Sequence, residues 1–259
     1  MSIKISGVYI TFNEEEYIEK NILSIKNFVD EIVVVDSYST DSTKELCLKH
    51  NVVFIEKKFE SFGKQKQFAV QQAKYDIVLC LDADEFLCEQ AKDAVLEVKN
   101  KWEHDGYWIK RKNYYCGRWL KYSGKYPDKK LRLFDRRKGN WVDRLVHETV
   151  EMQQPKNTSL LKGNLIHYEY FSYFKHARKV EYYSTLSAKH YLKKGKKSNL
   201  WQIFYRPTWA FFKNYILRLG FLDGSQGLIV CCFTAYSTFL KYVKLYGLQK
   251  GQAVPQDKV

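Results

Sequence analysis

Residues 77–81, Ile77-Val78-Leu79-Cys80-Leu81, constrain this chain more than any other stretch. The run is too short for a helix and rich in strand formers. An unbroken apolar run of that length predicts a strand buried on both faces, as in a parallel sheet. It stops abruptly at Asp82-Ala83-Asp84-Glu85, three carboxylates in four residues. In open α/β sheets the ligand crevice lies outside the carboxyl ends of the strands. Crowded carboxylates repel one another unless a cation or water screens them. Hard divalent ions such as Mg²⁺ or Mn²⁺ take one or two carboxylates together with phosphate oxygens. The expectation is therefore a metal meeting a phosphorylated substrate at this strand end. Taken alone, the same residues also describe a solvated acidic turn ahead of a helix N-terminus.

The flanking sequence repeats the pattern. Residues 3–10 predict a strand, with Thr11 or Asn13 capping the next helix and Glu14, Glu15 and Glu16 at its N-terminal dipole. Ile18, Ile22, Ile25 and Phe28 recur at helical spacing and predict that helix's buried face. Residues 31–36 predict a second buried strand, again ending in an acid, Asp36. A polar loop follows, with Asp41 or Ser42 capping a helix through about His50. Residues 52–55 predict a third strand, and Gly63 introduces Lys64-Gln65-Lys66-Gln67 and a helix through Ala73. This alternation predicts an α/β fold with a doubly wound, mainly parallel sheet over the first hundred residues.

After a helix over 89–102 the pattern changes. Strands are predicted at 107–112, 130–134 and 160–167, with Asp143, His147 and Glu148 carried between the last two. From Ser172 onward the pattern is helical.

Three strand ends, at Thr11, Asp36 and Asp82/Asp84, line one crevice in such a sheet. Asp36 can accept hydrogen bonds from a base or ribose, Asp82 from ribose, and Asp84 can hold a metal bridging a diphosphate. Lys64 and Lys66 stand where they can neutralise phosphate, or simply form a solvated helix face. A nicotinamide dehydrogenase needs G-x-G-x-x-G after its first strand, and Thr11-Phe12-Asn13-Glu14-Glu15-Glu16 stands there instead. No P-loop string occurs either. Without a glycine cradle, phosphate binding falls to a metal.

Thr11-Phe12-Asn13-Glu14, Asp36-Ser37-Tyr38-Ser39-Thr40-Asp41-Ser42-Thr43 and Asp82-Ala83-Asp84-Glu85, in that order, resemble family 2 glycosyltransferases of the GT-A fold. Tyr126-Pro127-Asp128, Leu131-Arg132-Leu133-Phe134, Val146-His147-Glu148, His167-Tyr168 and the stretch from Arg206-Pro207 to Gly224 are similar to a narrower branch. That branch includes lipopolysaccharide inner-core β-glucosyltransferases. The resemblance covers nearly the whole chain, to about Leu248.

It implies a nucleotide-sugar site, UDP-linked, formed by Thr11, Asn13, Glu14, Asp36, Gly63, Lys64, Lys66, Asp82 and Arg132. Asp84 is implied as the metal ligand, with Asp82 and His147 as further candidates. Relatives of this kind invert at the anomeric carbon, with a base taking the acceptor hydroxyl's proton. Many carry a Glu-Asp pair for this, and this chain lacks it at the expected place. Glu148 is the favoured base and Asp143 the runner-up. Arg132 and Arg136 are candidates for phosphate binding. The resulting organisation is a GT-A domain over 1–170, with a nucleotide-sugar half (1–102) and an acceptor half (103–170). A helical extension over 171–250 and a short tail follow.

The charge is uneven. Residues 171–250 carry 14 Lys or Arg against two acids, Glu181 and Asp223, in a chain of net charge +14. An anionic partner for that segment alone follows. No nucleic-acid motif accompanies the charge. Residues 228–240 form an uncharged run of 13, short of the roughly 18 that indicate a membrane span. An interfacial helical hairpin meeting an anionic membrane surface fits the pattern, as does a helical cap packed on the catalytic domain. The aromatic share of 16% fits a sugar site or a membrane interface. The six Cys show neither metal spacing nor a disulfide framework, and fit a reducing compartment. No secretory signal is evident, so the expected location is the cytoplasmic face of the inner membrane.

The expected reaction is transfer of a hexose, glucose by resemblance, from a nucleotide sugar to a lipopolysaccharide core or similar glycolipid. Alternatives are transfer to a peptide or another polysaccharide intermediate, or a catalytically silent, membrane-bound nucleotide-sugar-binding module.

Overall fold

The structure is a computed structural model that describes residues 2–143, 148–170 and 172–253. In chain order the first elements are β1 (Ile5–Thr11), α1 (Ile18–Ile25), β2 (Glu31–Asp36), α2 (Thr43–Leu48), β3 (Val53–Glu56), α3 (Phe62–Gln72) and β4 (Ile77–Cys80). There follow β5 (Glu85–Leu87), α4 (Glu89–Asn100), β6 (Gly106–Tyr115), β7 (Arg118–Trp119), β8 (Asp128–Asp135), β9 (Gly139–Val142), β10 (Thr149–Met152) and β11 (Thr158–Tyr170). The last helices are α5 (Tyr173–Lys193), α6 (Leu200–Phe212) and α7 (Gly224–Gln249). The chain divides into two compact units, Met1–Asn113 with Pro127–Glu169, and Tyr114–Tyr126 with Tyr170–Val259.

The first unit is built on a mixed sheet whose strand order is β3-β2-β1-β4-β8-β6-β11-β5. Strands β1 to β4 pair in parallel, and from β4 outward the pairings with β8, β6 and β5 are antiparallel. The order reverses between β1 and β4, so the chain leaves their carboxyl ends toward opposite edges of the sheet and a crevice lies between. Strand side chains alternate between the two faces, which explains why the apolar runs are continuous. Val34, Leu79 and Leu81 pack with α1 and α4, through Ile18, Ile22, Ile25 and Val95. Val33, Val35, Val78 and Cys80 pack with Ala69 and Val70 of α3 and with Trp141.

Ser42 stands at the N-cap of α2 as expected, but the start of α1 differs. α1 starts only at Ile18, after a turn in which the Tyr17 and Ile18 N–H groups bond to the Glu14 carbonyl. Thr11 and Asn13 are thereby freed to bond across to the loop after β2. α3 is capped by Ser61, whose Oγ accepts from the Lys64 N–H.

In the second unit the last two residues of β6 pair with β7. Tyr115, Leu120, Val230 and Cys231 form a small core. α6 runs into a π-helical turn over Lys213–Leu217, and a 3₁₀ turn over Gly220–Asp223 leads into α7. α7 absorbs the uncharged run of residues 228–240 into a 26-residue helix. The stretch Gly220–Gln249 is long and apolar enough to cross a membrane by length and composition, with 22% of its most apolar window buried. α6 exposes Leu200, Trp201, Phe204 and Trp209 at 52–70%.

Candidate active site

Thr11 ends β1 directly beside Asp36, which ends β2. Asp36 is 1% exposed and both its oxygens are engaged. Thr11 Oγ1 and Ser39 Oγ donate to Oδ1 at 2.7 and 2.6 Å, and the Ser39 N–H donates to Oδ2 at 2.6 Å. Asn13, at φ 54°, receives the Thr40 N–H at Oδ1 (2.8 Å) while its own N–H donates to Ser39 Oγ (2.8 Å). The Glu14 N–H donates to Thr43 Oγ1 at 2.8 Å. Thr11, Asn13, Glu14 and Asp36 thus form one wall, two loops stitched together at adjacent strand ends.

The acidic turn after β4 is held from below by Asn21 of α1. Its Nδ2 donates to the carbonyls of Ala83 and Glu85 at 2.9 and 2.7 Å and reaches that of Asp82 at 3.2 Å, while Tyr9 Oη donates to its Oδ1 at 2.9 Å. Asn21 is completely buried.

The three carboxylates part ways. Asp82 and Glu85 belong to a chain of alternating charges running Glu148, Lys66, Asp82, Arg132, Glu85, Arg111, Asp128, Lys130. Lys66 Nζ lies 3.0 Å from Glu148 and 2.7 Å from Asp82. Arg132 Nη2 lies 2.8 Å from Asp82 and 2.7 Å from Glu85. Arg111 joins Glu85 at 3.0 Å to Asp128 at 2.7 Å, and Lys130 closes the chain at 3.3 Å. Each buried charge has a partner of opposite sign, which is what allows Lys66, Arg132 and Glu85 to sit at 0–6% exposure. Trp141 covers this group, with Lys66 Nζ 4.6 Å and the Arg132 guanidinium 5.6 Å from its ring. Burial pushes the Asp82 carboxyl up, but Lys66 and Arg132 outweigh it and hold the group well below the usual carboxylate range.

Asp84 stands apart. Its Oδ2 lies 3.3 Å from Nε2 of His167, and Nδ1 of the same imidazole lies 2.8 Å from Asn113 Oδ1. An imidazole donating from Nδ1 to an amide oxygen presents a bare lone pair at Nε2. A lone pair facing a carboxylate is stabilised only by a proton or a cation between them. A half-buried oxygen and nitrogen, with the ring oriented by an amide, is a donor set that suits a divalent ion of the Mn²⁺ or Mg²⁺ kind. Asp82, with both oxygens on cationic side chains, is not placed to share in it. Among the described residues no group of three or more His, Cys, Asp or Glu converges as a metal cage, so substrate oxygens or water must complete any such site.

The remaining predicted residues are dispersed. Lys64 is exposed and pairs with Glu60 at 2.8 Å. Gly63 lies against Asp143, and a Cβ there would stand 2.5 Å from the Asp143 Cα. Ser61 Oγ donates to the exposed Asp143 carboxylate at 2.6 Å. Arg136 donates to the Val70 carbonyl at 3.0 Å, capping α3. His147 lies outside the described residues. The sequence reading missed roles for His167, Asn113, Glu85 and Asn21. Only Asn21 leaves a local signal, a polar residue inside the 18, 22, 25 apolar stripe. The others depend on β11 pairing with β5 with His167 opposite Glu85, which no local pattern reveals.

A sheet with its switch point at β1 and β4 and an acidic turn in the crevice is the frame of a GT-A transferase. The chain belongs to glycosyl transferase family 2, whose family model matches residues 6–154. It is 30% identical over 252 residues to an uncharacterized glycosyltransferase of Rickettsia typhi, covering 93% of this chain and 86% of that protein. It is 28% identical over 251 residues to LpsC of Rhizobium meliloti, a lipopolysaccharide core biosynthesis glycosyltransferase, covering 94% and 92%. Among solved structures it is similar to Staphylococcus aureus TarS 1-349 in complex with UDP. That match has a TM-score of 0.48 and 19% identity, over 99% of this chain and 94% of the other.

Proposed function

We propose that the protein is an inverting hexosyltransferase that moves glucose from a UDP-sugar to a lipopolysaccharide core or similar glycolipid. The observation that carries the reaction is the Lys66 ammonium bridging Asp82 and Glu148 beside the Asp84–His167 pair. The likeness to LpsC over nearly the full length of both chains supports the acceptor class.

In this reading the wall of Thr11, Asn13, Glu14 and Asp36 receives the nucleoside, and Lys66 and Arg132 keep Asp82 ionised next to it. Asp84 and His167 would hold a divalent ion, which would supply positive charge to offset that of the departing diphosphate. Glu148 takes the proton of the acceptor hydroxyl as its oxygen bonds to the anomeric carbon and the bond from that carbon to the diphosphate breaks. Lys66 orients Glu148 through their 3.0 Å ion pair. Asp143, held by Ser61, is the second candidate for the base. The exposed aromatic surface and cationic side chains of the C-terminal helices support peripheral attachment to the cytoplasmic face of the inner membrane.

The test is incubation of the protein with a panel of radiolabelled nucleotide sugars and truncated core acceptors. Label from UDP-glucose should pass to a core acceptor only with Mn²⁺ or Mg²⁺ present. Transfer solely to a peptide or a soluble polysaccharide intermediate would replace the acceptor. Donor binding with neither transfer nor hydrolysis would leave a silent binding module.

A further inference from the structure

In the second unit, one flank of the α6–α7 pair is a cationic groove that the transfer reaction does not use. Arg206, Lys213, Arg218 and Lys241 line it together with Trp209 and Tyr242, around a volume of about 350 Å³. That is near the lower end for ligand clefts, enough for a headgroup but not for a whole lipid. Among the described residues no carboxylate lines it. The two acids of residues 171–250, Glu181 in α5 and Asp223 in the 3₁₀ turn, are engaged elsewhere. Glu181 pairs with Lys244 at 2.6 Å, and Asp223 accepts the N–H groups of Lys121 and Tyr122 at 3.1 and 2.8 Å.

A local irregularity gathers the charges. In an uninterrupted α-helix Arg218, twelve residues after Arg206, would lie about 120° round the axis from it. Here the Arg218 N–H bonds to the Lys213 carbonyl five residues back, at 2.9 Å, closing the π turn. The turn takes up one additional residue, roughly 100°, and returns Arg218 to the side of Arg206. π turns are rare and concentrate at functional sites. This one also buries Asn214, whose Oδ1 accepts from Arg218 Nη1 at 3.1 Å and steadies the guanidinium. Lys241 lies over the rings of Tyr191 and Tyr242 at 4.7 and 5.0 Å, and Arg206 over Tyr205 at 5.0 Å. Ring faces and one amide hold these cations in place without cancelling their charge.

The rim is apolar. Trp209 stacks on Phe212 at 5.8 Å, both of them exposed. On the other flank of the helix pair, Phe204, Pro207, Tyr236 and Phe239 line an almost wholly apolar groove.

We propose that the cationic groove binds the phosphomonoester of an anionic lipid. Four uncompensated cations exceed what the single charge of a phosphodiester balances and suit a dianion. Guanidinium groups match phosphate oxygens in pairs, and Trp209 and Phe212 stand where an acyl chain would leave the groove. The inference rests on the membrane reading above and names the lipid chemistry that reading leaves open.

The test floats the full-length protein with phosphatidylcholine vesicles containing phosphatidic acid or phosphatidylglycerol, adjusted to equal surface potential. The expected result is roughly five- to tenfold stronger binding to phosphatidic acid. Arg206→Gln/Lys213→Gln, checked for folding by circular dichroism, should abolish that preference. Lys193→Gln/Lys194→Gln, which removes the same charge outside the groove, should weaken both vesicles equally and keep it. Equal binding of the unaltered protein to both vesicles overturns the groove assignment while leaving membrane attachment intact. Binding to neither overturns the membrane reading. Saturable binding of inorganic phosphate alone, at affinity equal to the vesicles, makes this a free-phosphate site and overturns the lipid assignment.

Discussion

His167 Nε2 faces Asp84 Oδ2 at 3.3 Å because β11 returns antiparallel to β5, with the Tyr168 N–H bonding to the Asp84 carbonyl at 3.3 Å. Strand pairing, not a flexible loop, sets the distance between carboxylate and imidazole. In the proposed reading this pairing would set the two protein ligands of the cation before it binds.

Asp84→Asn and His167→Ala should each remove most Mn²⁺ binding in the presence of UDP, read by electron paramagnetic resonance. Asn113→Ala, which frees the ring from its orienting amide, should weaken it about tenfold. Unchanged Mn²⁺ affinity in both Asp84→Asn and His167→Ala would move the metal elsewhere.

Glu148→Gln should lower the transfer rate by about 10²–10⁴-fold with donor affinity unchanged, the range for loss of a general base. Asp143→Asn should retain transfer within a few fold. The opposite ranking would assign the base to Asp143.

Asp82 makes stability depend on pH at the acid end. Its folded-state carboxyl is held low by Lys66 and Arg132 against the opposing effect of burial. Its contribution is therefore fully present above the unfolded value of about 4 and drains away as pH falls through the folded one. Urea unfolding of the unaltered protein and of Asp82→Asn should differ most near neutral pH and converge below about pH 4. A gap that stays constant down the acid range would show that the ion pairs contribute nothing.

Asn21→Ala leaves the carbonyls of the acidic turn without their buried donor. The expected cost is about 2–3 kcal/mol in denaturant unfolding, with weaker Mn²⁺ binding as the turn loosens. Asn21→Asp should cost more, since a carboxylate would face carbonyl oxygens. Full stability of either variant would remove Asn21 from this role.

The strands and the helix faces of the first hundred residues were legible because their signals are local. Ile18, Ile22 and Ile25 announce a helix face, and residues 31–36 and 77–81 announce strands buried twice over. The pairing of acids with cations was not legible. Arg132 meets Asp82 and Glu85 only through the β4–β8 pairing, and Arg111 meets Glu85 and Asp128 across β6 and β8. Crowded acids after a strand have the same appearance in sequence whether metals or arginines answer them. Here arginines and a lysine answer Asp82 and Glu85, and His167 faces Asp84. The cap of α1 was misplaced for a related reason, while Ser42 stands at the N-cap of α2 as expected. Thr11 and Asn13 have the chemistry of caps, but the partner loop at Ser39 and Thr40 competes for the same atoms.

The π turn at Lys213–Leu217 makes the groove a matter of residue count as much as residue type. Deleting one residue between Asn214 and Leu217 would restore a regular helix and keep all four cations in the chain. Arg218, then eleven residues after Arg206, would stay within about 20° of it round the axis, whereas a regular helix at the present count would carry it about 120° away. The π turn therefore absorbs one residue of chain length without scattering the charges, and the groove survives a change in count that a regular helix would not tolerate.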